Sequence, residues 1–429
     1  MKKLQIISAL TLAFLIICSG MNAYSSETAD KNVQGDTLII KTYRGIVKDA
    51  ESNDILPFAT VEAAGTNVAT VTNIDGEFTI KIANNSGVSG LKFSYIGYSN
   101  RVVSLSEFEE NKERDVELAP VAARIKELTI RPVYGPEFMA EVLRKVSENY
   151  NTEPQMMTGF YRETIKNRRN YVSISEAVVD IYKSGYKNTL QIDQVKIDKG
   201  RKSADVEKMD TILFKLQGGP TVSLLLDVVK NPYILLTEEY AKVYNFTLEN
   251  VISLDDRLHY VVEFKQKPYI KDPYYYGRLF IDMDKLAISE AEFSLNTENE
   301  DQAARFFIEK KPVGMNLIPE KATYRSSYTI QDDHWYFNYA RAEVKFIVDW
   351  DKKLFNDVYT IMSEIAITDR RTGSAEKINF KERFKRHDIL DEMVYVYFDP
   401  EYWGDYNVIE PDQSIESAIR KLNRKFERR

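Results

Sequence analysis

The fold of the first part of this chain is decided by four short segments, which read YRGIVKD (43–49), LPFATV (56–61), TNIDGEFTI (72–80) and LKFSYIGY (91–98). Apolar and polar residues alternate in these segments, which is typical of strands with one buried face and one wet face. Asp75 and Gly76 tolerate unusual backbone dihedrals, so they predict a hairpin turn. Pro57 is typical of the start of an edge strand, and Gly97 indicates a bulge or a close backbone approach. The segments therefore predict a small antiparallel β-sandwich.

The order of the motifs G-x-V-x-D, L-P-x-A-x-V, T-x-x-D-G-x-F and S-Y-x-G-Y resembles the carboxypeptidase-regulatory-like domain. The resemblance implies a transthyretin-like sandwich over residues 38–120. Such modules occur at the N-termini of TonB-dependent receptors and of other Gram-negative envelope proteins. In carboxypeptidases the module lies beside the catalytic domain and supplies no catalytic residue. The resemblance therefore implies a docking or structural unit.

The beginning of the chain indicates export. Residues 1–23 combine two lysines with a short apolar run and small residues, which predicts a signal peptide. Residues 24–37 are polar and predict a flexible leader. Lipidation at Cys18 is not expected, because Ile17 occupies the position where a lipobox has a small residue. We expect a protein of the periplasm or one associated with the outer membrane, on either side of that membrane.

Composition excludes some functions. The net charge of −7 gives no support to nucleic-acid binding. Cys18 is the only cysteine, so a cleaved chain would have no disulfide and would depend on core packing. The 27 tyrosines and 21 phenylalanines favour β-structure.

The rest of the chain predicts a second, larger unit. Residues 121–150 read as a linker strand and a helix that begins near Pro136. Residues 151–412 read as an antiparallel domain of eight to eleven strands that is wet on one face. Helices near 136–150, 221–230 and 413–427 are available to cover the other face. Strands are predicted near 243–254, 258–264, 274–282, 287–296, 303–311, 320–330, 335–349 and 357–368.

A second, local likeness concerns the strands at 277–282 and 288–293, which resemble those of the half-open barrels of periplasmic lipoprotein carriers and lipid-binding envelope proteins. The predicted fold is therefore mainly β: a transthyretin-like sandwich followed by a larger antiparallel sheet or half-barrel with a few covering helices, an α+β arrangement.

The search for catalytic motifs gives no assignment. Residues three positions after His259, His334 and His387 are not acidic, so the zinc-carboxypeptidase pattern is missing. The chain has no Gly-x-Ser-x-Gly elbow and no phosphate-binding loop. The acidic loop at 73–77 lacks the ligand ladder of a calcium site. We therefore predict a protein that is not an enzyme, with no cofactor and no metal.

Two aromatic runs beside turns are candidate contact sites. Such side chains can stack on sugar faces or hold a partner, although aromatic residues in strands also pack across strands. The runs are Tyr274, Tyr275 and Tyr276, and His334, Trp335 and Tyr336.

A basic amphipathic helix is predicted at residues 413–429. Its cations either complement the helix dipole or contact anionic lipid headgroups. The candidate membrane contacts are Arg420, Lys421, Arg424 and Lys425.

These features favour an exported envelope protein without catalytic activity. The sandwich would dock, and the β-rich domain would bind a protein partner, a lipid or a glycan. The alternatives are a transport component associated with an outer-membrane β-barrel and a hydrolase with an acidic site that no motif reveals. A deep apolar cavity would favour lipid, a filled interior would favour surface recognition, and carboxylates converging in a cleft would favour the enzyme.

Overall fold

The structure is a computed structural model that describes residues 39–109, 112–121, 135–187, 191–204, 216–232, 237, 242–307, 314–351, 355–371, 373, 375–396 and 401–426. The predicted signal peptide, the leader, Cys18 and the linker strand at 126–132 lie outside the described residues.

The first unit is a β-sandwich, as the sequence predicts. One sheet has the order β4-β1-β7 and the other has the order β3-β2-β5-β6. The buried rings of Phe78 and Phe93 meet edge-to-face, with centroids 5.2 Å apart, in its core. The strands are β1 (Ile40–Asp49), β2 (Thr60–Ala63), β3 (Ala69–Val71), β4 (Glu77–Ala83), β5 (Gly90–Ser94), β6 (Arg101–Ser104) and β7 (Glu113–Leu118).

Three details of the sandwich differ from the prediction. The turn at 73–76 joins β3 to β4, which belong to different sheets, so it is not a hairpin. Strand β2 lies between β3 and β5 rather than at an edge. Pro57 precedes β2 and therefore removes no hydrogen bond from the ladder. Strands β1 and β7 pair in parallel, so the sandwich is not wholly antiparallel.

The second unit is a large open sheet. The described residues place eleven strands in the order β11-β12-β13-β14-β15-β16-β17-β8-β9-β10-β18. Every pair is antiparallel except β10 with β18. The strands are β8 (Gln155–Asn167), β9 (Asn170–Lys183), β10 (Gln194–Ala204), β11 (Tyr244–Leu254), β12 (Arg257–Gln266), β13 (Tyr275–Asp282), β14 (Ile288–Leu295), β15 (Met315–Gln331), β16 (His334–Trp350), β17 (Asp357–Arg371) and β18 (Tyr395–Val396).

Short helices accompany this sheet. The helix predicted at 221–230 begins and ends earlier than expected, because an α-helical turn at 219–223 is followed by a 3-10 turn that ends at 226. The helix at 390–393 was not predicted. The predicted helix at 136–150 is divided at Lys145. The predicted strand at 303–311 is wrong where it is described, because Asn299 caps a helix over 300–304; residues 308–313 lie outside the described part. The helices are α1 (Gly135–Arg144), α2 (Val146–Asn149), α3 (Gly219–Ser223), α4 (Glu300–Ala304), α5 (Leu390–Met393) and α6 (Gln413–Phe426).

The inner face of the large sheet carries the main apolar core. Side chains from β8 to β17 form one apolar cluster with residues of α1 and of the segment 224–229. Leu226, Val228 and Val229 are at most 1% exposed within it. The described side chains of this face are therefore in contact with one another, as in an ordinary protein core.

The outer face is not wet throughout, contrary to the prediction. The sandwich packs on the outer face of β16 and the segment 401–412 packs on that of β8. Glu176 and Val178 on the outer face of the adjacent β9 are buried. Phe58 and Val71 of the sandwich join an apolar cluster with Phe160 of β8. Gly97 donates a backbone hydrogen bond to the Ser253 carbonyl over 2.6 Å. Its φ of +83° favours glycine, whereas a Cβ at this position would have open space, so backbone conformation rather than a close approach explains the residue.

Candidate functional site

A row of charged side chains crosses the outer face of the large sheet. Each residue of this charged row is the direct cross-strand partner of the next, so one charged side chain comes from each of nine neighbouring strands. Opposite charges in such positions attract, which stabilises the pairing of the strands. In order from β12 to β10, the charged row is Glu263, Arg278, Glu292, Arg325, Arg341, Glu364, Arg162, Glu176 and Arg201.

One end of the charged row is buried under the segment 401–412. Arg162 is 1% exposed and donates to Glu176 over 2.8 Å, to Glu364 over 3.2 Å and to the Ile409 carbonyl over 2.8 Å. The two carboxylates outweigh desolvation and raise the pKa of the Arg162 guanidinium, while the arginines around Glu176 lower the pKa of that carboxyl. Buried charges are tolerated only when they are paired in this way.

The middle of the charged row contains a like-charged step, Arg325 beside Arg341. The sandwich places the ring of Phe58 over both guanidinium groups, with centroid distances of 5.4 Å and 5.3 Å. The face of an aromatic ring carries partial negative charge, so it attracts both cations. Phe58 also stacks on Tyr339, with centroids 5.7 Å apart. Phe58 therefore fixes the sandwich to the one repulsive position in the charged row.

The backbone of Phe58 is strained. Its φ of +63° lies in the left-handed region, which a bulky residue rarely adopts. The neighbouring Thr72 holds this conformation: its hydroxyl donates to the Leu56 carbonyl over 2.7 Å and accepts from the Ala59 amide over 2.8 Å. Strain of this kind persists only where the surrounding structure fixes it, and it is concentrated at functional sites.

Beyond Phe58 the charged row enters an open cleft of about 520 Å³ between the sandwich and the sheet. Phe58 and Ile74 form the sandwich side of this cleft. The floor contains the exposed end of the charged row, from Glu263 to Arg341. A second cross-strand row lies beside it on the floor and consists of Tyr276, Ser294, Thr323 and Glu343.

The six charged side chains among the described lining residues all have ion-pair partners. Glu263 pairs with Lys265 over 2.8 Å, and Arg278 pairs with Glu249 over 2.7 Å. Arg325 lies 3.5 Å from Glu292, and Arg341 lies 2.9 Å from Glu343. Three arginines and three glutamates therefore leave the cleft floor with little net charge.

A small polar cavity of about 30 Å³ lies behind Phe58 and Arg325. Its lining includes Glu290, which is 4% exposed and lies 2.7 Å from Arg325. Burial raises the pKa of the Glu290 carboxyl to about 7, although Arg325 opposes the shift. This carboxyl thus titrates near neutrality beside the floor of the cleft.

The three predicted tyrosines have different environments. Tyr276 is 45% exposed and lines the cleft. Tyr275 is buried, and its ring packs edge-to-face on Phe293 with centroids 5.4 Å apart. Tyr274 is partly buried and packs on Tyr244. Only Tyr276 of the three lines the cleft. Tyr275 is on the opposite face of β13 because side chains alternate along a strand, and Tyr274 lies before the strand begins.

The second predicted run lies at the opposite end of these strands. Trp335 is 1% exposed, and its ring lies 6.1 Å from that of the buried His259. His334 is exposed in the turn beside Gln331, whereas Tyr336 is partly buried beneath Arg370. His259 pairs with Asp282, at the far end of β13 from Tyr275. The structure therefore does not bring the two aromatic runs together.

The predicted basic helix is present as α6, and Asp412 caps it by accepting from the Ile415 amide over 2.8 Å. Ile415 packs with Tyr171 and Ile174 of β9. Arg420 and Lys421 are exposed, while the side chains of Arg424 and Lys425 lie outside the described part. The apolar face of α6 is thus directed at least partly to the sheet.

Other buried polar groups form structural networks. Asp227 accepts from Lys183 over 2.5 Å and from Tyr186 and Tyr328 over 2.8 Å each. On the inner face, Tyr161 donates to Glu163 over 2.7 Å, and burial raises the pKa of the Glu163 carboxyl to about 8. Within the described residues, no group of three or more His, Cys, Asp or Glu side chains is arranged to hold a metal ion.

Sequence reasoning missed Phe58, Arg325 and Arg341 as site residues. A signal was present, because Arg278, Arg325 and Arg341 each occupy an outward position in the middle of an alternating strand. Their alignment depends on the register of nine strands, which the sequence does not specify.

Comparison with known proteins identifies the first unit. A family model of the CarboxypepD_reg-like domain matches residues 43–130. These residues are therefore a carboxypeptidase-regulatory-like domain, as the motifs predicted. No match was found among curated proteins.

Three solved structures resemble part of the chain. An outer membrane lipoprotein-sorting protein domain from Vibrio parahaemolyticus is 11% identical, with a TM-score of 0.24, and the match covers 56% of this chain and 94% of that one. A DUF1329 family protein from Desulfovibrio piger is 10% identical, with a TM-score of 0.20, over 54% and 93% of the two chains. Lipovitellin, in a structure concerned with its lipid–protein interactions, is 10% identical with a TM-score of 0.26, over 59% of this chain and 28% of its own. At these TM-scores the similarity says nothing about the ligand of this chain.

Among the helices that the structure describes, none is both long enough and apolar enough to cross a bilayer.

Proposed function

We propose that this chain is an exported cell-envelope protein that binds a ligand in the cleft between its regulatory-like sandwich and its large sheet, without converting that ligand. The observation that carries the proposal is the cleft itself, an opening of about 520 Å³ whose two sides come from separately cored units. Ligand sites occur preferentially at such domain boundaries.

The rigidity of the cleft supports a binding role. Lys92 of the sandwich pairs with Asp255 of the sheet over 2.5 Å, and Asn67 donates to the Arg370 carbonyl over 2.8 Å. Together with Phe58, these contacts fix one side of the cleft against the other. A ligand that enters a preformed site loses little of its binding free energy to ordering the protein.

The two faces of the large sheet support recognition at a surface. The described apolar side chains of the inner face pack on one another in one cluster. The outer face carries the open cleft, whose floor presents charged and hydroxyl side chains beside the ring of Tyr276.

The placement of the carboxylates supports the non-catalytic assignment. Glu263, Glu292 and Glu343 line the cleft, and each forms an ion pair within the protein. Glu290, whose carboxyl titrates nearer neutrality, is 4% exposed behind Arg325 and is not among the described residues that line the cleft. A general base must reach the ligand to take a proton from it.

A cleft-filling substitution tests the proposal. Ser294→Trp places an indole on the floor of the cleft, and Val102→Trp is a matched control because Val102 is 65% exposed on β6. Native mass spectrometry of the folded variants should be performed with neutral oligosaccharides, a mixed Glu/Lys peptide and a short-chain phospholipid. We expect the original chain and Val102→Trp to bind at least one probe and to release it unchanged, and Ser294→Trp to bind none.

Two results would overturn the proposal. Either no probe binds the original chain, or the bound probe is unaffected by Ser294→Trp. Release of a cleaved probe would overturn the non-catalytic part.

A further inference from the structure

We infer that the cleft takes a neutral, polyhydroxylated ligand, an oligosaccharide chain laid across the strands β12 to β16. The inference rests on the proposed function and specifies the ligand class of the same site. Four properties of the described lining residues carry it: charge balance, hydrogen-bonding capacity, apolar surface and backbone saturation.

Charge balance argues against a ligand with a net charge. The six charged lining residues are paired within the protein, so the cleft presents no uncompensated cation to an anionic ligand and no uncompensated carboxylate to a cationic one. An anionic ligand that bonded to the remaining positions of Arg278 or Arg341 would also face the paired carboxylate of Glu249 or Glu343. This repulsion opposes the attraction of the cation, so a net charge on the ligand adds little affinity.

Hydrogen-bonding capacity favours a ligand rich in hydroxyl groups. A guanidinium has five N–H donors and a carboxylate has about four acceptor positions, so each group keeps free positions after one ion pair forms. Ser294 and Thr323 add hydroxyl groups between the charged side chains. Hydroxyl groups both donate and accept, so they can bond to both kinds of side chain without breaking the ion pairs.

The cleft also presents apolar surface, which makes up the larger part of its accessible lining. Tyr276 is 45% exposed at one side of the floor, and Ile74 is 48% exposed on the sandwich side, next to Phe58. An aromatic face beside polar groups suits a ligand with both C–H and O–H surfaces, such as a sugar ring.

The backbone saturation of the floor, meaning that its N–H and C=O groups are already hydrogen-bonded within the sheet, argues against a peptide. The floor belongs to strands β12 to β16, and each of these strands has a neighbour on both sides. Their backbone groups are therefore used within the sheet, and a peptide could not add as a further strand at this place. Five strands span roughly 20 Å at the usual strand spacing, which suits a short chain of sugars rather than a single sugar.

The inference is tested by titration calorimetry on the full chain. The neutral probes are maltoheptaose, cellopentaose, xylohexaose and mannohexaose; the charged probes are an oligogalacturonate and the mixed Glu/Lys peptide. We expect a neutral probe to bind with an affinity that changes little between low and high salt, because no ion pair with the ligand is formed. Tyr276→Ala should weaken this binding by about tenfold or more, which corresponds to at least about 1.4 kcal/mol. Tyr276→Phe should retain it, and Tyr269→Ala is the control, since Tyr269 is 72% exposed outside the cleft.

The outcomes separate this inference from the proposed function. Binding of only a charged probe, abolished by Ser294→Trp, overturns the neutral-oligosaccharide inference and leaves the cleft as a binding site. Binding of a neutral probe that Tyr276→Ala leaves unchanged also overturns the inference. If no probe binds the original chain, both proposals fail.

Discussion

Arg325 and Arg341 lie directly opposite each other on the paired strands β15 and β16, and they form the like-charged step of the charged row. Like charges in direct cross-strand positions destabilise a sheet. Here the ring of Phe58 covers both guanidinium groups. Glu290 forms an ion pair with Arg325, and Glu364 forms one with Arg341. The like-charged step of the charged row is therefore a position at which the sandwich docks.

Phe58→Ala should lower the free energy of unfolding by about 1–3 kcal/mol, because it removes two cation–π contacts and the stacking on Tyr339. The loss should be larger at low salt, where the repulsion between Arg325 and Arg341 is less screened. Urea unfolding at two sodium chloride concentrations measures both effects. In Phe58→Ala/Arg341→Met the extra loss at low salt should disappear; an equal salt dependence in both variants would contradict the proposed role of the ring.

Arg162→Met should lower the free energy of unfolding by about 3–5 kcal/mol, since it leaves Glu176 and Glu364 buried without this cation. Arg278→Met is the matched control, because Arg278 belongs to the same charged row but its side chain is 50% exposed. We expect that variant to lose less than about 1 kcal/mol. Thermal or urea unfolding of both variants measures these losses in the free energy of unfolding. Equal losses would show that burial does not distinguish the two arginines.

Thr72→Val should lower the free energy of unfolding by about 2 kcal/mol, because the Ala59 amide and the Leu56 carbonyl lose their shared partner. Thr72→Ser retains the hydroxyl and should remain close to the original stability. A chemical-shift change at Phe58 in Thr72→Val but not in Thr72→Ser would confirm that the hydroxyl holds the strained backbone. If both variants are equally stable, the φ of Phe58 is maintained by other contacts.

Glu163→Gln should change how stability depends on pH. Burial raises the pKa of Glu163 to about 8 in the folded chain, from an ordinary value of 4.5, so the folded state binds more protons between these two pH values. The original chain therefore loses stability from this group as the pH rises through that window, whereas glutamine stays neutral. The free energy of unfolding of the variant, relative to that of the original chain, should therefore rise by roughly 4 kcal/mol between pH 4.5 and pH 8.

Urea unfolding of both proteins at several pH values measures this difference. Measurements below pH 4.5, where Glu163 is protonated in both the folded and the unfolded chain, are the control. The glutamine side chain can still accept a hydrogen bond from the Tyr161 hydroxyl, so the substitution keeps this contact. A stability difference that stays constant with pH would show that Glu163 titrates normally.

The sequence was most informative where local patterns determine local structure. The strand predicted near 335–349 is present as β16, and the helix predicted from residue 413 is present as α6. The motifs at 43–98 predicted the sandwich, because turn residues and strand alternation are read within a few positions of the chain. The helix at 300–304 was missed because the apolar residues after it also suit a strand.

The cleft could not be predicted in the same way. Tyr276 was a candidate, but its neighbours on the floor come from strands up to 67 residues further along the chain, such as Glu343 on β16. Phe58 comes from the other unit altogether. Such contacts depend on register and on docking, which single-sequence periodicity does not specify.

The pairing of β17 with β8 joins residues that are far apart in sequence, since Ile361 lies opposite Ile165. Strands β8 to β10 and strands β11 to β16 can each form by neighbour pairing, and among the described strands only β17 connects these two halves. Non-local pairings of this kind slow folding, because a long loop must close before the contact is made. A nascent chain therefore cannot complete the charged row until residues 357–371 have been synthesised, and its maturation depends on the arrival of that late strand.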